Sequence, residues 1–104
     1  MLYILKYWVR IPEHWDTDTE TQERAKEAAR AKELIADGYI VRAWRATATQ
    51  ATISLWQAKD HDDLHAAFLS LPLHRFFFDV EVTPVVEHPV SLIAKDAGIE
   101  LPPV

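Results

Sequence analysis

The chain has 104 residues, 49% apolar, 26% charged and 11% aromatic, enough for one domain with one core and too little for two. That apolar content excludes intrinsic disorder, and only two glycines exclude collagen-like or linker character. A formal net charge of -5 comes with no Lys/Arg cluster of the nucleic-acid kind, and the absence of cysteine excludes disulfides, thiolate metal sites and cysteine nucleophiles.

The start alternates and meets Arg10 before an apolar signal region forms, so it reads as no signal peptide. No apolar run approaches the ~20 residues that span a bilayer. A soluble cytoplasmic domain is expected, with neither nucleic acid nor membrane as partner.

Leu2 to Ile11 is apolar and β-rich and reads as a strand ended by Pro12. Asp16, Thr17 or Asp18 then caps a helix from Thr19 to Asp37, dense in Ala, Glu, Lys and Arg, with Gly38 at the left-handed C-terminal position. Its apolar stripe reads Ala28, Ala31, Leu34 and Ile35. Tyr39 to Thr47 and Thr49 to Gln57 read as strands joined at about Ala48. Asp60 caps a second helix, His61 to Leu71, closed by Pro72, and Phe76 to Val86 reads as the fourth strand.

The order β-α-β-β-α-β predicts an α+β fold of the ferredoxin-like kind: a four-stranded antiparallel sheet with both helices on one face. Residues 1–89 form that domain, and 90–104 are an apolar tail expected to pack on a neighbouring subunit. In the second strand, Ile40, Arg42, Trp44 and Ala46 are assigned one face, and Tyr39, Val41, Ala43 and Arg45 the other. In the fourth, Asp79 and Glu81 share one face, Val80 and Val82 the other. Large side chains on the face without helices predict association through that face.

Glu27 has Ala31 at i+4 and Leu34 at i+7, so its carboxylate runs along the apolar stripe. Pushed toward a helix–sheet seam, it loses hydration, its pKa rises, and it suits general base chemistry. The bland alternative is a stripe-edge Glu paired with Arg24 or Arg30. His61 and His65, at i and i+4, have metal-ligand spacing but no third ligand, and His65 reads better as buried and hydrogen-bonded. Arg45, with Trp44 and Arg42, either holds a substrate carboxylate or pairs with Glu81 or Asp79. His88 is ambiguous, and Thr47, Thr49, Thr52 and Ser54 are weak polar candidates. No phosphate loop or nucleophile elbow exists.

From residue 1 to about 93 the chain resembles the muconolactone delta-isomerases of catechol degradation. The resemblance rests on the Met-Leu opening with Val9 and Pro12, Glu27, Gly38, Trp44-Arg45, Ser54, Leu64-His65, Leu71-Pro72-Leu73, Asp79-Val80-Glu81-Val82 and His88-Pro89. It implies sheet-to-sheet dimers built into decamers of five, and proton abstraction on a small unsaturated lactone carboxylate without cofactor or metal. It makes Glu27 the acid/base, and places Arg45, Trp44, Thr52, Ser54, His65, Thr49 and Ile40 around the substrate.

Departures accompany it. Thr49, Gln50 and Thr52 replace the family's usual polar His, Tyr and Asn, Ile40 replaces an aromatic, and His74-Arg75-Phe76-Phe77 replaces Phe-Pro-Tyr. A base retained beside a changed polar lining favours elimination, so the branch expected is chloromuconolactone dehalogenase, with chloride as product and a dienelactone left behind. Muconolactone isomerisation, moving the proton from C4 to C2, is the first alternative. A non-catalytic ligand-binding module is the second, and a monooxygenase on the same scaffold the third.

Overall fold

Alternation in the first strand sets the layers. In the computed structural model, which describes residues 1–103, Tyr3, Leu5 and Tyr7 of β1 (Leu2–Val9) are buried against the helices. Leu2, Ile4, Lys6 and Trp8 face the other way, as period-two geometry requires. β1 is central and pairs antiparallel with β3 (Thr52–Gln57) and β4 (Phe77–Val85), while β2 (Ile40–Arg45) pairs with β3. The order β2-β3-β1-β4 makes β1 parallel to β2 and β3 parallel to β4, each pair skipping one strand. Those are the two interleaved crossovers of the ferredoxin-like fold, as the sequence predicts.

Helix α1 (Thr17–Ala36) starts at Asp16, whose carboxylate accepts the Thr19 N–H at 2.7 Å, and stops before Gly38 at φ +87°. Helix α2 (His61–Leu69) starts at Asp60 in the same way, accepting from Asp63 N–H at 2.8 Å. Leu34 of α1 and Leu64, Ala67 and Phe68 of α2 close one core over Tyr3, Leu5, Tyr7, Ile40 and Trp56. Tyr39 Oη donates to Asp63 Oδ1 at 2.7 Å and ties the start of α2 to the strand beside it.

The structure corrects several sequence assignments. The stripe of α1 is narrower than expected: Leu34 is fully buried and Ala31 half-buried, whereas Ala28 is exposed and Ile35 is 55% exposed. Half-buried Glu23, Glu27 and Arg30 occupy the rest of the sheet-facing side, where apolar periodicity does not look. In β2 a bulge between Ile40 and Arg42 breaks simple alternation. Ile40, Ala43 and Arg45 oppose Trp56, Ser54 and Thr52 on the helix face, and Arg42 and Trp44 oppose Leu55 and Ile53 on the outer face. In β4, Asp79 at φ +51° and Val80 both oppose Tyr7, so only the split between Glu81 (opposite Lys6) and Val82 (opposite Leu5) follows the expected alternation.

β2 and β4 are opposite edges of the sheet, about 14 Å apart at ordinary strand spacing, so Arg45 has no intrachain route to Glu81 or Asp79. The tail contains an element the sequence reading lacked, helix α3 (Pro89–Asp96), whose N-cap is His88: its Nδ1 accepts the Val90 N–H at 3.0 Å. Val90, Leu92 and Ile93 of α3 and Ile4 and Trp44 of the outer sheet face are exposed. Val104, the end of the expected tail, lies outside the described residues. No helix among the described residues is long and apolar enough to cross a membrane.

Because Leu34 alone of α1 is fully buried, Leu34→Ala is expected to cost about 3 kcal/mol in urea denaturation, whereas Ile35→Ala costs well under half of that.

Candidate active site

Where α1 overhangs the edge of the sheet, helix and strands do not close, and a cavity of about 210 Å³ remains. Its floor is the helix face of three strands: Tyr7 and Val9 of β1, Thr52, Ser54 and Trp56 of β3, and Ile40, Ala43 and Arg45 of β2. Arg24, Glu27 and Ala31 of α1 and the Leu71–Leu73 segment form its walls. The β2 bulge is what puts Ile40 and Arg45 into the same space; strict alternation would separate them.

Glu27 is the only carboxylate in this lining. Its Oε1 accepts the backbone N–H of Leu73 at 3.0 Å. Burial raises its pKa, and the Leu73 N–H and nearby His74 offset part of that rise. Neither arginine of the bland alternative reaches it: Arg24 bonds Glu20 at 3.0 Å, and Arg30 bonds Glu33 at 2.7 Å and Ser70 Oγ at 2.9 Å. A carboxylate desolvated, half-buried and outside any ion pair among the described residues can take a proton from a bound carbon acid.

Five of the residues singled out from sequence therefore meet: Glu27, Arg45, Thr52, Ser54 and Ile40. Ser54 is buried and accepts the Trp56 indole N–H at 2.8 Å, which fixes that ring in the floor. Three lie elsewhere. Trp44 is on the outer face and 46% exposed. Thr49 sits in the β2–β3 turn, its carbonyl accepting from Trp8 Nε1 at 3.0 Å. His65 is exposed, with no hydrogen bond among the described residues, which corrects the expectation of a buried and bonded ring.

His65 borders a second cavity, also about 210 Å³, between α2, β1 and β4, lined with Tyr3, Leu5, His61, Phe68 and Val82. There His61 Nδ1 bonds the Tyr3 hydroxyl at 2.8 Å. This cavity has no carboxylate in its lining. No group of three His, Asp or Glu among the described residues is placed to hold a metal ion.

Sequence reasoning overlooked Tyr7, Arg24 as a cavity wall, and the Leu73 N–H. The first two were available as parity in β1 and as the i−3 neighbour of Glu27; the third has no sequence signal, because a backbone donor has no side chain to read.

Fold and cavity together define a ferredoxin-like α+β domain with one desolvated carboxylate between helix and sheet. Residues 1–91 match the family model described as muconolactone delta-isomerase, and the chain belongs to that family. It is 29% identical to a muconolactone delta-isomerase of Cupriavidus pinatubonensis over 92 residues, 88% of this chain and 99% of that one. It is also 29% identical to that of Acinetobacter baylyi over 97 residues, 93% and 100% of the two chains. A crystal structure of muconolactone isomerase superposes with a TM-score of 0.76 at 30% identity, over 86% of this chain and 92% of that one. A 5-chloro-2-hydroxyhydroquinone dehydrochlorinase from Burkholderia phenoliruptrix superposes at 0.62 with 17% identity, over 86% and 98%, and shares the fold.

A raised carboxylate pKa means the folded protein holds that proton more tightly than the unfolded chain. The group's contribution is most favourable below the unfolded value near 4.5 and is lost as pH rises through the higher folded value. Glu27→Gln, whose amide oxygen still accepts from Leu73, is expected to be more stable than wild type at pH 7. Thermal melts should show that advantage shrinking as the pH falls toward 4.5 and absent below it.

Proposed function

We propose that the protein catalyses proton transfer from C4 to C2 of a muconolactone-type unsaturated lactone, with Glu27 as the single base and acid. The observation carrying this reading is the desolvated carboxylate of Glu27, outside any ion pair among the described residues, in the helix–sheet cavity. The C4–H bond breaks toward Glu27, and its electron pair spreads through the ring double bond onto the lactone carbonyl oxygen. That shift leaves double bonds at C3–C4 and C1–C2; the carbonyl then re-forms as the C1–C2 pair takes the proton back from Glu27 at C2. C4 and C2 flank one ring atom, so one carboxylate on one ring face serves both steps. Arg45, which has no ion pair among the described residues, and Arg24 line the cavity where the substrate's acid arm would sit.

The sequence reading preferred loss of HCl from a chlorinated lactone. Family membership and the isomerase relatives support isomerisation better, since the dehydrochlorinase neighbour speaks for the fold alone. The reasoning from polar lining also weakens. Thr49 lies outside the cavity, so its departure from the family pattern says nothing of the pocket, while Tyr7 and Arg24 supply polar groups the reading omitted. Elimination would use the same dienolate, with chloride leaving from the adjacent carbon and the proton passing through Glu27 to solvent. The exposed outer sheet face and α3 support the further proposal that copies associate, through sheets and tail.

Purified protein given muconolactone in D2O is expected to form the isomer, and Glu27→Gln to lose about a hundredfold or more in kcat. Release of chloride from the chlorinated lactone with no isomerisation of the plain one would reverse the preference. The acid limb of kcat/KM should fall above the ordinary carboxylate range and disappear in Glu27→Gln. Arg45→Ala should raise KM about tenfold or more while leaving kcat within a fewfold.

A further inference from the structure

Two tyrosines of β1 point into the helix face, and their hydroxyls meet different partners. Tyr3 Oη bonds His61 Nδ1 at 2.8 Å in the second cavity. Tyr7 lies two residue pairs along the same strand, 8% exposed, and lines the cavity that holds Glu27. No backbone carbonyl or carboxylate accepts its hydroxyl proton; its polar neighbour is Thr52, the residue opposite it on β3. Buried phenols ordinarily find an acceptor. Thr52 donates to the phenol oxygen, which leaves the hydroxyl proton for an acceptor in the cavity that both residues line.

Its ring is fixed. Phe77 stacks on it with centroids 4.2 Å apart at 27°, and Phe68 meets it edge-on at 5.4 Å and 66°. A donor whose ring cannot turn away is preorganised and costs no reorganisation when charge develops in front of it.

We propose that Tyr7 is a catalytic residue of the proton transfer assigned to Glu27, donating a hydrogen bond to the lactone carbonyl oxygen as the dienolate forms. This rests on that reading of Glu27 and adds the group that receives the charge. Glu27 takes the C4 proton, the electron pair reaches the carbonyl oxygen, and Tyr7 donates without transferring its proton. The pair then returns to the ring as Glu27 protonates C2. Burial, helped by the Glu27 charge and opposed by Thr52, pushes the phenol up to about 12, so it remains a donor throughout the working pH range.

Tyr7→Phe keeps the stacked ring and removes one atom. Expected are unchanged melting, a kcat lower by about a hundredfold, and a KM within a fewfold. Tyr3→Phe, which removes the same atom outside this cavity, should leave kcat unchanged. A second arm needs no turnover. Calorimetry measures 5-(carboxymethyl)tetronate, a stable anion with the ring and charge of the dienolate, binding to Glu27→Gln and to Glu27→Gln/Tyr7→Phe. The neutral amide stands for the protonated acid of the intermediate. The double variant should bind this anion about tenfold or more weaker, and the saturated lactone acid equally.

Full kcat in Tyr7→Phe with unchanged tetronate affinity overturns the Tyr7 role and leaves Glu27 standing, provided Glu27→Gln is inactive. An equal kcat loss in Tyr3→Phe also overturns it, by making the effect structural. Failure of wild type to turn over either lactone, with the tetronate bound no better than the saturated acid, overturns both.

Discussion

The backbone N–H of Leu73 donating to Glu27 is the contact around which the site is arranged. Moving a carboxylate from water to a helix–sheet seam is unfavourable, and one charge-assisted hydrogen bond offsets only part of the cost. The remainder appears as the raised pKa, the property a carbon base needs. The bond also joins α1 to the segment after α2, so the carboxylate has a defined position relative to the sheet floor. Leu71 and Leu73 are buried on either side of Pro72, which holds the donor in place by packing.

The cavity exists because α1 covers its part of the sheet thinly. Leu34 alone of that helix is fully buried, and N-terminal to it Glu23, Glu27 and Arg30 replace apolar contacts. Stability is thereby concentrated near Leu34 and α2, and the space left under Glu27 becomes available to a ligand. Arg24 and Arg30 are tied to Glu20 and Glu33, so the helix's own i, i+3 and i, i+4 pairing keeps both from forming an ion pair with Glu27. The helix therefore carries both the Glu27 carboxylate and the pairs that hold its arginines away from it.

Two bulges shape the rest. The one in β2 brings Ile40 and Arg45 onto the helix face together and sends Trp44 to the outer face. The one in β4, at Asp79 and Val80, lies opposite Tyr7, where an extra residue in the partner strand changes the local twist. The β2 bulge shapes the cavity floor directly, whereas β4 adds no residue to the lining and its bulge meets it through Tyr7 alone.

Patterns one element long were legible in the amino-acid order: the strand and helix sequence, Asp16 and Asp60 as caps, Gly38 as a stop, and Glu27 on the buried side of α1 through Ala31 and Leu34. These depend on 2.0- and 3.6-residue periods and on local capping, which neighbours in the chain dictate. Tertiary structure alone decided the face of Ile40, the exposure of His65, the helix within the tail, the Leu73 donor and the union of Tyr7 with Glu27. Each depends on ladder register, on a bulge, or on a main-chain group meeting a side chain 46 residues away. Such meetings are set by how layers pack, and no periodicity in one segment encodes them.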